Sequence, residues 1–354
     1  MMKVLLVGPF PPPHGGVSVH VLTLQSLLRK SGIPCQVLNI SPGAPKSGRY
    51  VSIRGPLHFI LLLARFSLRG WPFHVHINGH NVKSWLVALA AGVVGAAGLR
   101  TRAAMLTIHS GMSPAYLSDR RTGRFLAWAV SKFYRHIIAV NSEIKDALCS
   151  LSVPEARIEM LPAFLPGSIL MAAPYRACIR SAQPAPLELP DNFESWSQAH
   201  HPVISTALFF RPEYGFGLLV QAISELRRKH PRLGCVVMGD SESRPEGVPP
   251  HTFAIGDVTH ESCLAVIASS DIFVRTTLSD GDAISVREAL ALGTPVVASD
   301  VVARPPGTLC FKTGDASDLV SKIDSLLSGE SPQSYADSEP GGSGLHRLLE
   351  LYGE

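Results

Sequence analysis

Two acidic side chains, Asp280 and Glu288, lie eight positions apart in the segment TTLSDGDAISVREALALGTPVVASD. The Gly-Asp pair after the first acid supplies turn and capping chemistry, and a periodic apolar pattern from Ala283 predicts a helix. Asp280 then falls in a loop at the carboxyl end of a predicted strand, while Glu288 lies more than one turn into the helix. Carboxylates on this frame could accept hydrogen bonds from the hydroxyl groups of a sugar and of a ribose.

The start of this helix is a predicted anion site. The first N–H groups of a helix lack intrahelical partners and attract anions, so they could bind the diphosphate of a nucleotide sugar. The predicted donor-binding residues of this segment are Gly281, Asp282, Ala283, Ile284, Ser285 and Glu288. On spacing alone a plainer interpretation is favoured, in which an aspartate only caps the helix and Glu288 is a solvated surface residue.

A binding site of this kind needs strands whose carboxyl ends meet at one edge of a sheet. The first half of the chain has a pattern that predicts such strands. Short apolar runs alternate with segments of helical length and spacing. This alternation predicts parallel βαβ units with ligands at the carboxyl ends of the strands. The predicted strands are Lys3–Gly8, Cys35–Ile40, His74–Asn78, Ala103–His109, His136–Val140 and Arg157–Leu161. The predicted helices are Val17–Lys30, Leu57–Leu68, Val82–Ala97, Arg121–Tyr134 and Ser142–Ser150.

The same alternation returns in the second half, after a proline-rich, aperiodic stretch at residues 166–200 that predicts an interdomain linker. The predicted strands are Pro202–Leu208, Gly234–Met238, Thr252–Ile255, Asp271–Val274, Pro295–Ala298 and Thr308–Phe311, and the predicted helices are Gly217–Lys229, His260–Ala268, Ala283–Leu292 and Asp315–Leu327. We therefore expect an α/β protein with two doubly wound Rossmann-like domains, residues 1–165 and 201–332, facing each other across a cleft. A polar tail and terminal helix, residues 333–354, are expected to pack back on the N-terminal domain.

Composition narrows the class of protein. The chain has 354 residues, more than one core usually supports, so two domains are expected. With 46% hydrophobic residues and a formal net charge of only +4, the chain is expected to fold rather than to be disordered. No basic run is interleaved with aromatic residues, so nucleic acid is not an expected partner. The six cysteines form no Cys-x-x-Cys pair, which favours reduced thiols in a cytosolic protein. The most apolar stretch, Trp85–Leu99, is shorter than the roughly 18 residues of a membrane span and is predicted as a buried helix.

The segment from Asp280 to Glu288 resembles the donor-site signature of glycosyltransferase family 4, whose members have the GT-B fold. In that family an acid, a glycine and two small or aromatic residues precede a second acid, eight positions after the first, and then A-x-A-x-G-x-P-V-V. Here DGDA precedes Glu288 and ALALGTPVV. The upstream segment FAIGDVTHESCLAVIASSDIFV is similar to the family's preceding strand, loop and helix. The base-binding residues that this similarity implies are Gly256, Asp257 and Val258.

Two motifs of the first half carry the same resemblance. GPFPPPHGGVSVHV is similar to the family's opening strand and Gly-Gly loop, where Gly15 and Gly16 would let the backbone approach a phosphate. LTIHSG is similar to the family's T-x-H-G, which implies that His109 approaches the donor sugar. Each motif alone is weak, because a proline-rich turn explains the first and a lone histidine at the end of a strand is more often structural.

The start of the predicted second domain departs from the family pattern. Many members carry an Arg and a Lys-Gly there to neutralise the diphosphate, whereas this chain has Phe209 and Tyr214-Gly215 at roughly those places. Arg211 is nearby and could replace one of the two charges. Arg275 ends the strand that leads to the first acid, where it could contact the donor or form an ion pair with a neighbouring aspartate.

The resemblance implies a glycosyltransferase that moves a sugar from a nucleotide-diphosphate sugar to a glycan or lipid-linked acceptor in polysaccharide or glycoconjugate biosynthesis. It implies retention of configuration, no metal, and no cofactor beyond the nucleotide-diphosphate sugar as co-substrate. The implied catalytic residues are His109, Asp280 and Arg211. A GT-B nucleotide-sugar epimerase and a non-catalytic, nucleotide-sugar-binding assembly subunit are the alternatives.

One predicted helix bears on the cellular location of the protein. LHFILLLARFSLRGWPF is rich in large apolar residues and carries Arg65, Arg69 and Trp71 towards its end. Several relatives dock on the inner face of the bacterial cytoplasmic membrane, and a basic helix edged by an aromatic residue suits that use. A core helix of the first domain is the favoured alternative. We expect a cytoplasmic protein, with peripheral membrane contact as the second option.

Overall fold

The computed structural model of the protein describes residues 2–97, 104–162, 189–239, 248–249, 251–329 and 343–353. They belong to two compact units, each built on one parallel β-sheet flanked by helices. One unit contains Met1–Leu165 and Pro340–Glu354, and the other contains Pro166–Glu339. The predicted fold class, α/β with two doubly wound sheets, is confirmed.

The first unit has a seven-stranded sheet with the order β3-β2-β1-β4-β5-β6-β7, in which every neighbouring pair is parallel. Its strands are β1 (Val4–Gly8), β2 (Cys35–Asn39), β3 (Val51–Ser52), β4 (Phe73–Ile77), β5 (Met105–Ile108), β6 (His136–Ala139) and β7 (Ile158–Met160). Its helices are α1 (Gly16–Lys30), α2 (Pro56–Leu68), α3 (Val82–Ala97), α4 (Ser113–Asp119), α5 (Arg121–Ser131) and α6 (Ser142–Ser150).

The second unit has a six-stranded parallel sheet with the order β10-β9-β8-β11-β12-β13. Its strands are β8 (Val203–Ala207), β9 (Gly234–Met238), β10 (Thr252–Gly256), β11 (Ile272–Arg275), β12 (Val296–Ser299) and β13 (Thr308–Phe311). Its helices are α7 (Phe193–Ala199), α8 (Phe216–Leu226), α9 (His260–Ser269), α10 (Ile284–Ala291) and α11 (Ala316–Leu327).

The strand order reverses between β1 and β4 in the first sheet and between β8 and β11 in the second. In open parallel sheets, ligands bind outside the carboxyl ends of the strands at such a reversal. In the second unit this edge contains Ala207 at the end of β8 and Arg275 at the end of β11. In the first unit it contains Gly8 and Ile77, at the ends of β1 and β4.

Both sheets are buried on two faces, which explains why their strands read as continuous apolar runs. All five residues of β1, β4 and β9 are buried. The apolar segment at α3 is a helix, as predicted, but it is buried on one side only, because Trp85 lies in the core whereas Leu86 and Val93 are exposed. Its last residues, 98 and 99, lie outside the described part of the chain. No helix among the described residues is long and apolar enough to cross a membrane.

The last helix, α12 (Ser343–Gly353), packs against the first unit. Leu348 and Leu351 are buried in the same apolar cluster as β1. The hydroxyl of Tyr352 lies 2.6 Å from Nδ1 of the buried His74. Burying two leucines contributes about 1.5–3 kcal/mol each, so this helix belongs to the core of the unit rather than to a tail.

Three elements were missed by the sequence prediction, and one of them corrects the predicted linker. β3 has only two residues, and α4 has seven, which are too few to show a period. α7 lies inside the predicted linker at 166–200, where residues 193–199 are helical instead of aperiodic; residues 166–188 lie outside the described part of the chain. Phe193 is buried in the core of the second unit, so this unit starts earlier than residue 201.

Candidate functional site

Arg275 is positioned by the second sheet at the reversal of strand order. It is the last residue of β11, and its Nη1 donates to the carbonyl oxygen of Ala207 on β8 at 2.7 Å. Its Nε and Nη2 donate to the two carboxylate oxygens of Asp280 at 3.1 and 3.2 Å. This two-point contact matches the planar fork of a guanidinium to the plane of a carboxylate, which makes it a strong and directional ion pair.

A second arginine, Arg304, binds the same carboxylate. Its Nη1 donates to Oδ2 of Asp280 at 2.9 Å, and its Nε donates to the carbonyl oxygen of Ser299 at 2.8 Å. The Arg304 side chain is only 2% exposed. Burial alone would raise the pKa of Asp280, but the two guanidinium groups outweigh it and lower the pKa to about 2. Two cations therefore share one anion, and this edge of the sheet has an excess positive charge.

The carboxylate of Asp280 has little capacity left for a ligand. It accepts hydrogen bonds from both arginines, from Oγ1 of Thr277 at 3.0 Å and from the backbone N–H of Gly281 at 3.1 Å. A carboxylate has about four lone-pair positions, and these donors fill them. The predicted contact between Asp280 and sugar hydroxyls stays a prediction, and in this geometry it requires one of these donors to leave. The interpretation of Arg275 as an ion-pair partner describes what is observed.

Helix α10 starts one residue later than predicted, with Ala283 as its N-cap. The N–H of Val286 bonds to the carbonyl of Ala283 at 3.0 Å, so the N–H groups of Ile284 and Ser285 belong to the unpaired first turn. Ala283 and Ile284 are buried, and Ser285 is partly exposed. A partly buried ion pair between Asp282 and Arg287, with Nε and Oδ1 2.7 Å apart, borders this turn. The anion role of the helix start stays a prediction.

Glu288 is buried, with 3% of its surface exposed, so the interpretation of this residue as a solvated surface side chain is wrong. Its Oε1 lies 2.6 Å from Nε2 of His260, the first residue of α9. Burial lowers the pKa of His260, but the charge and the hydrogen bond of Glu288 overcome this and raise it above the usual value of 6.5. The predicted ribose contact of Glu288 is untested, and His260 is the competing partner for its carboxylate.

The predicted base-binding loop lies next to the same pair. Gly256 ends β10 with a positive φ of 85°, and the exposed Asp257 follows it just before α9. Burial, and then the charges of Glu288 and Asp257, raise the pKa of the Cys263 thiol. Glu288 bonds to His260, the first residue of α9, and Gly256–Val258 precede that helix, so the loop and the carboxylate of Glu288 lie at the same end of α9.

The segment that replaces the family's Lys-Gly packs tightly against the end of β11. Gly215 has a φ of 69°, and a Cβ at this position would lie 2.2 Å from the carbonyl oxygen of Thr276. Tyr214 places its ring 5.4 Å from the guanidinium carbon of Arg275, a cation–π contact. Arg211 is exposed, with its guanidinium carbon 5.5 Å from the ring of Phe209. The observed partner of Arg211 is thus an aromatic ring, and its catalytic role stays a prediction.

In the first unit, His109 follows β5 and is buried among other histidines. Its backbone N–H donates to the carbonyl of Ile77 at the end of β4, at 3.0 Å, and its Nε2 lies 3.2 Å from Nδ1 of His76. The ring of His20, from α1, lies 5.0 Å away. Burial first, and then the charges of His20 and His74, hold the pKa of His109 well below its usual range. His109 is therefore a neutral imidazole near neutral pH.

The Gly-Gly loop opens α1 beside this cluster. Gly15 is the N-cap, and its N–H donates to Oγ of Ser18 at 2.9 Å. A Cβ built on Gly16 would meet nothing within 4 Å, so the backbone at this point is open to a close neighbour. The predicted phosphate contact of Gly15 and Gly16 is compatible with that open space and stays a prediction.

Sequence reasoning missed three residues that this geometry makes important. His20 lies in the segment GPFPPPHGGVSVHV but was assigned no role there, and His260 and Arg304 are 28 and 24 positions away from their acidic partners. Nothing in the spacing distinguishes Arg304 from Arg287, another arginine near the signature. Pairing across such separations depends on how the loops at the sheet edge fold, which periodicity does not encode.

Both halves of the chain match models of glycosyltransferase families. Residues 14–165 match the family described as Glycosyltransferase Family 4, and residues 201–329 match the one described as Glycosyl transferases group 1. The two matches together cover most of the chain. The protein belongs to glycosyltransferase family 4.

Solved structures show the same fold in known proteins. This family 4 glycosyltransferase is similar to sucrose-phosphate synthase from Thermosynechococcus elongatus, with a TM-score of 0.69 and 18% identity over 99% of this chain and 95% of that one. It is similar to Anabaena HepE in complex with UDP-glucose, with a TM-score of 0.71 and 13% identity over 100% of this chain and 98% of that one. It is also similar to a trehalose-phosphate synthase from Burkholderia xenovorans, with a TM-score of 0.67 and 12% identity over 99% of this chain and 96% of that one. Identities this low establish the GT-B fold alone, and among curated proteins none matches the sequence significantly.

Proposed function

We propose that this glycosyltransferase uses a UDP-sugar as donor and transfers the sugar, with retention and without a metal, to a glycan or lipid-linked acceptor. The observation that carries the proposal is the pair of buried arginines around Asp280 at the carboxyl ends of β8, β11 and β12. Two guanidinium groups and one carboxylate leave an excess positive charge, and a diphosphate is the part of the donor that needs one. The structure of Anabaena HepE with UDP-glucose supports uracil as the base.

Arg275 is the residue that would contact the diphosphate. A guanidinium has five N–H donors, and the described hydrogen bonds of Arg275 use three of them. The remaining two N–H groups can bind phosphate oxygens, while Asp280 and Ala207 keep the group in place. Arg304 is more deeply buried and acts through Asp280, which it helps to hold. This pair takes over the role that the absent Lys has in many relatives, since Tyr214 stands in its place.

Charge stabilisation on the leaving group is the chemical role of this arrangement. When the bond between the sugar and the diphosphate breaks, negative charge grows on the diphosphate oxygens. A cation that is already fixed by Asp280 and Ala207 needs no reorganisation to stabilise that charge, which is the condition for a large electrostatic effect. Glu288 and the loop at Gly256–Val258 would bind the ribose and the base.

Thermal unfolding in the presence of nucleotides tests the donor proposal. UDP and UDP-sugars should raise the melting temperature of the protein more than GDP and GDP-sugars do. Arg275→Ala should abolish this shift, and Glu288→Ala should weaken it, whereas the exposed control Arg228→Ala should keep it. An unchanged shift in Arg275→Ala would contradict the role of this residue.

Turnover separates an enzyme from a binding subunit that keeps the fold. The engaged carboxylate of Asp280 and the tyrosine at position 214 favour binding without turnover as the second candidate function. Slow hydrolysis of the UDP-sugar supports the transferase if Asp280→Asn abolishes it under conditions in which circular dichroism shows this variant to be folded. NMR of the released sugar reports whether the anomeric configuration is retained. Tight UDP binding with no donor consumption at any acceptor concentration supports the subunit instead.

A membrane-facing acceptor site is supported by the outer surface of α2, α3 and α5. These three helices pack side by side and contain no acidic residue. Their exposed large apolar residues are Leu57, Ile60, Leu61, Leu68, Val82, Leu86, Val93, Phe125 and Trp128, and their exposed basic residues are Arg65, Lys83, Arg121 and Arg124. Apolar and cationic side chains on one surface suit an anionic lipid bilayer, which would present a lipid-linked acceptor.

Co-sedimentation with vesicles tests this surface. Vesicles containing phosphatidylglycerol should bind the protein, and vesicles of phosphatidylcholine alone should not. Leu61→Glu and Trp128→Glu should each reduce binding, while Met160→Glu, at an exposed apolar residue outside the three helices, should not. Equal binding by all three variants would reject the membrane role of this surface.

A further inference from the structure

Three buried histidines converge where the strand order of the first sheet reverses. His20 comes from α1, His76 from β4 and His109 from the residue after β5, so three separate elements supply one ring each. One ring nitrogen from each lies within 4.8 Å of the others. All three residues are buried. Sites of this kind, built from imidazoles on different elements, are typical of transition-metal centres.

The spacing of two ring nitrogens fits a shared ion as well as a hydrogen bond. Nδ1 of His76 and Nε2 of His109 lie 3.2 Å apart. Two nitrogens bound to zinc at about 2.0–2.1 Å in a tetrahedron are about 3.3–3.4 Å apart, so the observed separation needs almost no adjustment. The third ring, His20, lies with its centroid 5.0 Å from that of His109 and 5.2 Å from that of His76, close enough to complete a triangle of ligands.

The protein alone does not satisfy the hydrogen-bonding capacity of this cluster. Among the described residues, Nε2 of His76 is buried and has no hydrogen-bond partner. Leaving a buried polar atom unpaired is unfavourable, and such atoms are rare in folded proteins. An ion held by Nδ1 of His76 and Nε2 of His109 would use the 3.2 Å pair, and the proton of His76 would then be on Nε2. In this arrangement His76 and His109 each offer one lone pair to the ion.

A fourth histidine packs against the three. The neighbouring His74 is fixed on both sides, by Oγ1 of Thr107 at 2.7 Å and by the hydroxyl of Tyr352 at 2.6 Å, and its ring packs 4.1 Å from that of His76.

We propose that His20, His76 and His109 form a binding site for a divalent transition-metal ion, zinc foremost, in the first unit. Three imidazoles without a carboxylate select zinc, cobalt, nickel or copper over magnesium and calcium, which prefer oxygen ligands. A fourth ligand would come from solvent or from a bound small molecule, as in three-histidine sites that keep an open position. None of its ligands belongs to the arginine and Glu288 cluster on which the donor proposal rests, although His109 is the residue that the family resemblance places near the donor sugar.

Metal titration of the nucleotide-free, full-length protein tests the proposal. After treatment with a chelator and its removal, the protein should bind one equivalent of Co²⁺ with the visible absorption of a tetrahedral nitrogen-ligated ion. Zn²⁺ should displace the Co²⁺, and Mg²⁺ should not. No saturable binding at one equivalent by the wild-type protein overturns the proposal, whatever the behaviour of any variant.

Variants then locate the ion. His20→Gln, His76→Gln and His109→Gln should each weaken Co²⁺ binding by at least the about 10- to 100-fold that loss of an outer-shell partner costs, since each removes a direct ligand. His230→Gln, which removes a histidine of the second unit that bonds to Asp324, should bind as the wild type does. Circular dichroism and UDP-dependent stabilisation show whether each variant is folded. One-equivalent binding that survives in folded variants of all three residues would overturn the assignment.

Discussion

Asp280 has hydrogen-bond donors on every side, and its removal would leave two guanidinium groups without their counter-charge. The side chain is 8% exposed, so water cannot replace the lost contact. The structural importance of this residue follows from that burial, whichever role it has towards a sugar. Any loss of activity in a variant at this position must therefore be read together with its stability.

We expect Asp280→Asn to lower the free energy of unfolding of the second unit by about 3–5 kcal/mol, because it leaves a buried ion pair with only its cations. Urea unfolding followed by circular dichroism measures the change. Glu155→Gln is the matched control, since Glu155 forms an exposed ion pair with Lys145 at 2.7 Å and should matter little. Equal stability of both variants would show that the Asp280 network does not hold the unit together.

The pair of His260 and Glu288 makes stability depend on pH in a defined direction. The pKa of His260 is raised in the folded protein, so the pair stabilises the fold fully below pH 6.5 and loses this effect as the pH rises through the raised pKa. The difference in unfolding free energy between the wild type and His260→Gln should be largest in mildly acidic buffer and shrink in alkaline buffer. A stability difference between the two proteins that grows with pH would contradict the ion pair of His260 and Glu288.

At the scale of elements, Gly215 determines how α8 begins next to β11. Its φ is in the left-handed region, and a Cβ would overlap the Thr276 carbonyl at 2.2 Å. Gly215→Ala should destabilise the second unit and displace Tyr214 from Arg275, since the obstacle is backbone rather than a flexible side chain. Gly217, inside α8, has nothing within 4 Å of a built Cβ, so Gly217→Ala should stabilise the protein by about 0.5–1 kcal/mol. Thermal unfolding of the two variants checks that the signs are opposite.

The elements that could be predicted from the sequence are those whose apolar period is long or uninterrupted. β1 and β9 were found because strands buried on two faces show a continuous apolar run, and α2 because 13 residues include several helical turns. α7 was missed because prolines dominate the composition around it. Within the site, the helix start could be predicted from local spacing, whereas spacing alone favoured a solvated Glu288. Its burial and its His260 partner depend on two helices packing together.

At the scale of the whole chain, the C-terminal helix α12 completes the first unit from the far end of the sequence. Arg347 pairs with Glu159 at 2.6 Å, and Leu348 and Leu351 are in the core. Deleting residues 343–354 should destabilise the first unit by at least about 3 kcal/mol, the value for exposing two leucines. His346→Ala is the control, because this histidine is exposed on the same helix. Calorimetry that shows an unchanged first-unit transition after the deletion would contradict this packing.

The proposed function depends most on the diphosphate lying at the carboxyl ends of β8 and β11, in contact with Arg275. A crystal structure of the protein soaked with UDP measures this directly. We expect diphosphate oxygens within about 3 Å of the Arg275 guanidinium, with the ribose next to Glu288. A diphosphate bound elsewhere, with Arg275 still bonded only to Asp280 and Ala207, would contradict the account.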